Sequence, residues 1–190
     1  MEDYDYKNII LQLIPNVGKS EDTIDFVIKS KSLKEAIERA FYSENEKGKL
    51  NSHQYRAGRN TLNRAKEKFF KNNLNKQLVN CENFECILNI IKDAKIFKFG
   101  KLAIYDVSLR IALYLNNAKQ TDKFTSKYVY LYGQGPRKSY KKIFNKQIKK
   151  NRINPNDLIN NEIEDIIIKS NLTTWQIEFL LCDFARKLNL

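Results

Sequence analysis

The stretch Ile96-Phe97-Lys98-Phe99-Gly100-Lys101-Leu102-Ala103-Ile104-Tyr105-Asp106-Val107-Ser108-Leu109-Arg110-Ile111 decides the fold. Before it, Glu82–Ala94 has the apolar spacing of a helix, and Leu102–Leu115 within and after it does the same. Gly100 closes the turn between them. Helix, tight turn and helix is therefore the local plan, and the rest of the chain follows it. Asp5–Ile14 places Ile9, Ile10, Leu13 and Ile14 on one helical face and stops at Pro15. Ser20–Ser30 reads as a second helix. Ser32-x-x-Glu35 is a capping box that opens a helix through about Tyr42. Ser43–Ser52 is polar and reads as a loop. Thr61–Val79 carries Leu62, Ala65, Phe69, Phe70, Leu74 and Leu78 at helical spacing.

Downstream, only Tyr128–Tyr132 alternates like an extended segment. Pro136 stands where a helix start is expected, which predicts a helix over Arg137–Lys150. Asn156–Lys169 follows Pro155, and Thr173-x-x-Gln176 caps a terminal helix with Trp175, Phe179, Leu180 and Phe184. Six Gly and three Pro in 190 residues are too few for a turn-rich β fold. The expected fold is all-α or nearly so: a compact multi-helix single domain over 1–190, divisible into lobes 1–80 and 81–190. A helix–hairpin–helix-like element is expected at Gly100.

Hydrophobic residues make up 42% of the chain, enough for a core and too many for disorder. Three cysteines (Cys81, Cys86, Cys182) make no disulfide framework and suit a reducing compartment. The N-terminus lacks a signal-peptide plan and no apolar run reaches membrane-spanning length, so a soluble, cytoplasmic protein is expected. Cys81, Cys86 and the single His53 fall short of a four-ligand metal site, so neither metal nor cofactor is expected. Gly18-Lys19-Ser20 has Leu13 where a phosphate-binding loop needs glycine.

Charge is uneven. The chain holds 34 Lys and Arg against 22 Asp and Glu. From Lys123 to Arg152 there are ten bases and no acid, so the other segments hold 24 and 22. Tyr128, Tyr130, Tyr132 and Tyr140 interleave with those bases. Gly133-Gln134-Gly135 forms a turn ahead of Arg137, Lys138, Lys141, Lys142 and Lys146. Focused positive charge with aromatics and a glycine turn suits a phosphate backbone. Nucleic acid, DNA foremost, is thus the expected partner, with no membrane. An acidic protein partner meeting the same charge is the alternative.

The turn at Gly100 points the same way. In a helix–hairpin–helix, backbone N–H groups at the turn and the next helix start hold a phosphate, and glycine permits its close approach. The usual hydrophobic-Gly-hydrophobic-Gly order has Lys98 at its first glycine here. Lys98, Gly100 and Lys101 are the expected contacts. Asp106, four residues before Arg110, reads either as an oriented carboxylate near a flipped base or as a structural ion pair. Tyr105 suits base stacking or the core. His53 and Arg56 follow the polar loop as further candidates.

Several of these positions resemble an uncharacterised bacterial protein family. Its pattern runs His-Gln-x-Arg, Gly-x-Leu-Thr-x-Tyr-Asp with Arg-Ile-Gly, then Val-Tyr-Leu-His. The corresponding positions here are His53-Gln54-Tyr55-Arg56, Gly100-Lys101-Leu102-Ala103-Ile104-Tyr105-Asp106 with Arg110-Ile111, and Val129-Tyr130-Leu131-Tyr132-Gly133, departing at Ala103 for Thr and Tyr132 for His. Ile163-Glu164-Asp165 and Leu181-Cys182 extend it, so it covers about His53 to Cys182. The order is also distantly similar to helix–hairpin–helix DNA glycosylases. That resemblance implies a catalytic Lys after the hairpin and an Asp in the later segment. Those positions fall on Leu102, one place after Lys101, and on Tyr130, with Asp122 the nearest acid. A glycosylase-like enzyme excising an unusual base, using Asp106, Lys101 and Asp122, is the implied alternative.

Overall fold

The computed structural model describes residues 5–18, 22–96, 99–148, 150–155 and 162–190. Among these, the ordered elements are eleven α-helices, a short 3-10 helix at Ile14–Asn16 and one two-stranded sheet, so the chain is nearly all-α. It divides into two compact units. Unit 1 joins Met1–Ser20 to Ser126–Leu190, and unit 2 is Glu21–Thr125. The boundary expected at residue 80 is thus displaced. Two helices that flank that point, Leu74–Val79 and Phe84–Asp93, pack on each other inside unit 2.

Unit 2 contains α2 (Asp22–Ile28), α3 (Leu33–Tyr42), α4 (Ser52–Ala57), α5 (Arg59–Lys71), α6 (Leu74–Val79), α7 (Phe84–Asp93) and α8 (Lys101–Lys119). Helix α8 is its axis. Ten of its residues between Tyr105 and Leu115 are buried, because α2, α3 and α7 all pack on it. A helix surrounded in this way needs apolar residues on most sides, as Val107, Leu109, Ile111 and Ala112 provide. Ser32 caps α3 by accepting from the Glu35 N–H at 3.2 Å, while the Glu35 carboxylate reaches back to the Lys31 N–H at 2.7 Å. Phe41 and Phe69 lie in contact, both fully buried, and each contributes about 1.5–3 kcal/mol by leaving water.

Two expectations change in unit 2, and one helix is added. The helix predicted over Thr61–Val79 is two helices, because Asn73 takes a left-handed φ of 52° that breaks the hydrogen-bond ladder. Helix α4 occupies the His53-Gln54-Tyr55-Arg56 motif, which follows directly on the predicted loop. Cys81 and Cys86 are joined as a disulfide with a Cα–Cα distance of 5.6 Å. Cys81 precedes α7 and Cys86 lies in its first turn. The Asn83 carboxamide accepts from the Cys86 N–H at 2.9 Å and folds the chain so the two meet.

Unit 1 contains α1 (Tyr6–Leu13), β1 (Val129–Tyr130), α9 (Gln134–Phe144), β2 (Arg152–Ile153), α10 (Glu162–Lys169) and α11 (Thr174–Lys187). Helix α11 is central to it: Leu180, Leu181 and Phe184 are fully buried among α1, α9 and β1. Its predicted capping box is present at Thr173 and Gln176. Helix α9 stops at Phe144, not Lys150, because Asn145 takes a left-handed φ of 48°. The start of the helix predicted from Asn156 lies outside the described residues. Among the described residues, no helix is long and apolar enough to cross a membrane.

Candidate nucleic-acid interface

The basic segment is shaped by what α9 buries. Pro136, Ser139, Tyr140, Ile143 and Phe144 recur at the three- and four-residue spacing of one helical face, and all are buried. The Ser139 hydroxyl donates to the Leu181 carbonyl at 2.6 Å, locking α9 on α11. Gly135 faces α11, where an added Cβ would stand in van der Waals contact, 3.4 Å from the Ala185 Cβ. Gly133 is the N-cap of α9. Gly133 and Gly135 therefore open the helix, and Gly135 serves its packed side.

The opposite face is left to Lys138, Lys141 and Lys142, all exposed. Residues three and four apart are neighbours on a helix surface, so these ammonium groups form one cluster. Like charges this close repel, and an anion bound between them relieves the repulsion. Arg137 is half-buried and donates to the Asn151 carboxamide at 3.3 Å. Lys146 lies beyond the end of α9 and is half-buried. Of the bases expected over the helix to Lys150, α9 itself presents three exposed lysines, and Lys149 lies outside the described residues.

The sheet closes this segment. β1 and β2 pair antiparallel with Tyr130 opposite Arg152, and the Leu131 N–H donates to the Asn151 carbonyl at 2.8 Å. Asn151 thus anchors both Arg137 and the strand, a role that no local sequence signal announces because its partners lie 14 and 20 residues away. The Arg152 guanidinium lies 4.3 Å from the Tyr128 ring centroid. Tyr130 is buried and stacks on Tyr132 at 5.3 Å between centroids. Burial pushes the Tyr132 phenol above its ordinary pKa, with the Arg152 charge opposing. Tyr130 is closed to a base, whereas Tyr128 and Tyr132 are half-buried.

Helix α8 carries the other candidates, and it belongs to unit 2. Gly100 is exposed at its N-cap with φ −72° and ψ 170°, a conformation open to any residue. A Cβ added there would meet nothing within 4 Å. No neighbouring protein atom among the described residues therefore requires glycine at this position. Lys98 lies outside the described residues. Lys101 is exposed in the first turn, but Tyr105 is buried edge-on against Phe84. Arg110 is 1% exposed and donates to the Thr23 hydroxyl at 2.9 Å and to the Asp106 carbonyl at 3.2 Å. Its guanidinium lies 4.0 Å from the buried Asp106 carboxylate. Asp106 is therefore held inside the packing of unit 2. Asp122 is exposed beyond the end of α8 and lines a shallow hollow with Asn116 and Asn117, of which Asn116 lies about 15 Å further along the helix axis than Asp106. Asp106, Lys101 and Asp122 do not converge on one site.

His53 falls on α4, its side chain outside the described residues, and Arg56 is exposed on the same helix. Among the described residues no three His, Cys, Asp or Glu side chains group as for a metal ion. Cys182 is the free cysteine, its thiol pushed up by burial and by the neighbouring Glu178 carboxylate. No protein-family model, curated protein or solved structure matches this chain. The motif resemblances therefore rest on their residues alone.

Proposed function

We propose that this protein binds nucleic acid, with DNA the first substrate to test, through the α9 face of unit 1. One observation carries the reading. Lys138, Lys141 and Lys142 share an exposed face, and among the described residues no acid is paired with them. Arg152 over Tyr128 adds a cation on the β2 side of the same segment. Binding of this kind neutralises phosphates and releases counterions, so affinity falls with salt. The cytoplasm is the compartment this reading implies, and the Cys81–Cys86 pair would there meet a reducing thiol pool.

The test is duplex-DNA binding measured across a salt series, with the triple variant Lys138→Glu, Lys141→Glu, Lys142→Glu beside the natural protein. The expected result is at least a tenfold loss of affinity. The log–log salt slope should fall by about 0.9 for each phosphate contact removed. Melting should shift by no more than about 2 °C, because exposed positions contribute little to stability. An unchanged affinity would overturn the proposal. So would a pull-down partner that survives nuclease treatment and is lost in the triple variant, which would assign the face to an acidic protein.

A further inference from the structure

Unit 2 has a basic surface of its own, hidden in the bulk charge. Residues 47–76 hold nine Lys and Arg and a single acid, Glu67. Residues 21–46, in the same unit, hold seven acids and four bases, which masks the excess when charge is summed over the chain. Helices α4 and α5 carry six of these nine bases. They meet at Gly58, whose φ of 76° suits glycine and turns the chain from one helix into the next.

On α5 the buried side is Leu62, Ala65 and Phe69. Arg64, Lys68 and Lys71 are exposed on the opposite side, spaced four and three residues apart along about 10 Å of helix. Some bases of the region are already engaged. Arg59 pairs with Glu44 at 3.1 Å, Lys68 donates to the Lys95 carbonyl at 2.9 Å, and Lys66 lies over the Tyr42 ring. Arg56, Arg64 and Lys71 have no ion-pair partner among the described residues. Beside Arg56 stands Tyr55, 75% exposed and the most open large hydrophobic side chain among the described residues. A tyrosine ring in water on a helix of a basic segment provides a flat apolar surface in a field of positive charge. An unpaired base suits such a ring, and the phosphates of its strand suit the unpaired cations of α4 and α5.

We infer that the Tyr55–Lys71 surface of unit 2 binds single-stranded nucleic acid, stacking an unpaired base on Tyr55 while Arg56, Arg64 and Lys71 hold the backbone. The inference rests on the nucleic-acid reading of unit 1 and names a second contact with a different form of the same polymer. A duplex offers no free base to Tyr55 along its length, so the two surfaces separate by substrate.

The experiment uses the full chain with a labelled oligothymidylate and a blunt duplex of equal length. Tyr55→Ala should weaken oligothymidylate binding roughly 5- to 150-fold, the range expected for one lost base stack. It should leave duplex affinity within about twofold, and Tyr55→Phe should keep most single-strand binding. The Arg56→Ala, Arg64→Ala, Lys71→Ala triple should lower the single-strand salt slope by about 2. Wild-type single-strand affinity in Tyr55→Ala, or an equal loss on both substrates, would overturn the inference. If the α9 lysine variant loses duplex binding while Tyr55→Ala changes nothing, the unit 1 reading stands and this one falls. If the natural protein binds neither substrate, both fall.

Discussion

Asp106 and Arg110 on α8, and Lys138 and Lys142 on α9, share the same four-residue spacing and have opposite fates. The first two are shut inside unit 2, where Arg110 is 1% exposed and bonded to Thr23. The second two stand in water with an apolar face beneath them. The comparison shows that charge becomes structural or available according to what surrounds its helix. Helix α8 is packed on by several helices along its middle, so the charged residues there, Asp106 and Arg110, must find partners within the fold. Helix α9 lies mainly on α11, and its other side is left for charge that seeks partners outside.

The comparison breaks most severely at Arg110. Arg110→Ala leaves Asp106 buried with less compensation and should cost about 3–5 kcal/mol, read by denaturant unfolding. Asp106→Leu with Arg110→Met removes both charges and should recover part of that loss. Recovery would show that the pair acts through stability. A single variant with unchanged stability would place α8 in the same class as α9.

The inner side of α9 gives a smaller effect. Gly135→Val adds branching where a Cβ already reaches 3.4 Å from Ala185 and 3.9 Å from Cys182. It should destabilise by about 1–3 kcal/mol through overpacking, in contrast to the lysines on the outer side. The smallest change is expected at the start of α8. Gly100→Ser supplies the cap that no side chain provides there and should stabilise by a few tenths of a kcal/mol. Unaltered DNA binding in that variant sharpens the distinction between the two helices. A tenfold loss would restore the hairpin as a phosphate grip.

Much of this was legible in the residues. The helical periods around Gly100 and the Thr173–Gln176 box appear where they were read, because both are local. The breaks were not legible. Asn73 and Asn145 end helices by adopting left-handed conformations, which asparagine tolerates but does not demand. The Cys81–Cys86 disulfide departs from the expectation of unpaired cysteines, because Cys81 lies outside α7 and the chain folds back to bring it to Cys86. The second basic surface was readable from charge counted by segment, since residues 47–76 differ so sharply from residues 21–46.

By itself the sequence determined the helical class, the apolar side of each major helix and the concentration of charge after Asp122, since spacing and composition are properties of neighbours along the chain. Only the tertiary structure decided that Asp106, Arg110 and Tyr130 are enclosed while Lys138, Lys141, Lys142 and Tyr55 are open. Burial depends on which distant segments come to cover a residue, and a four-residue spacing is the same whether or not they do.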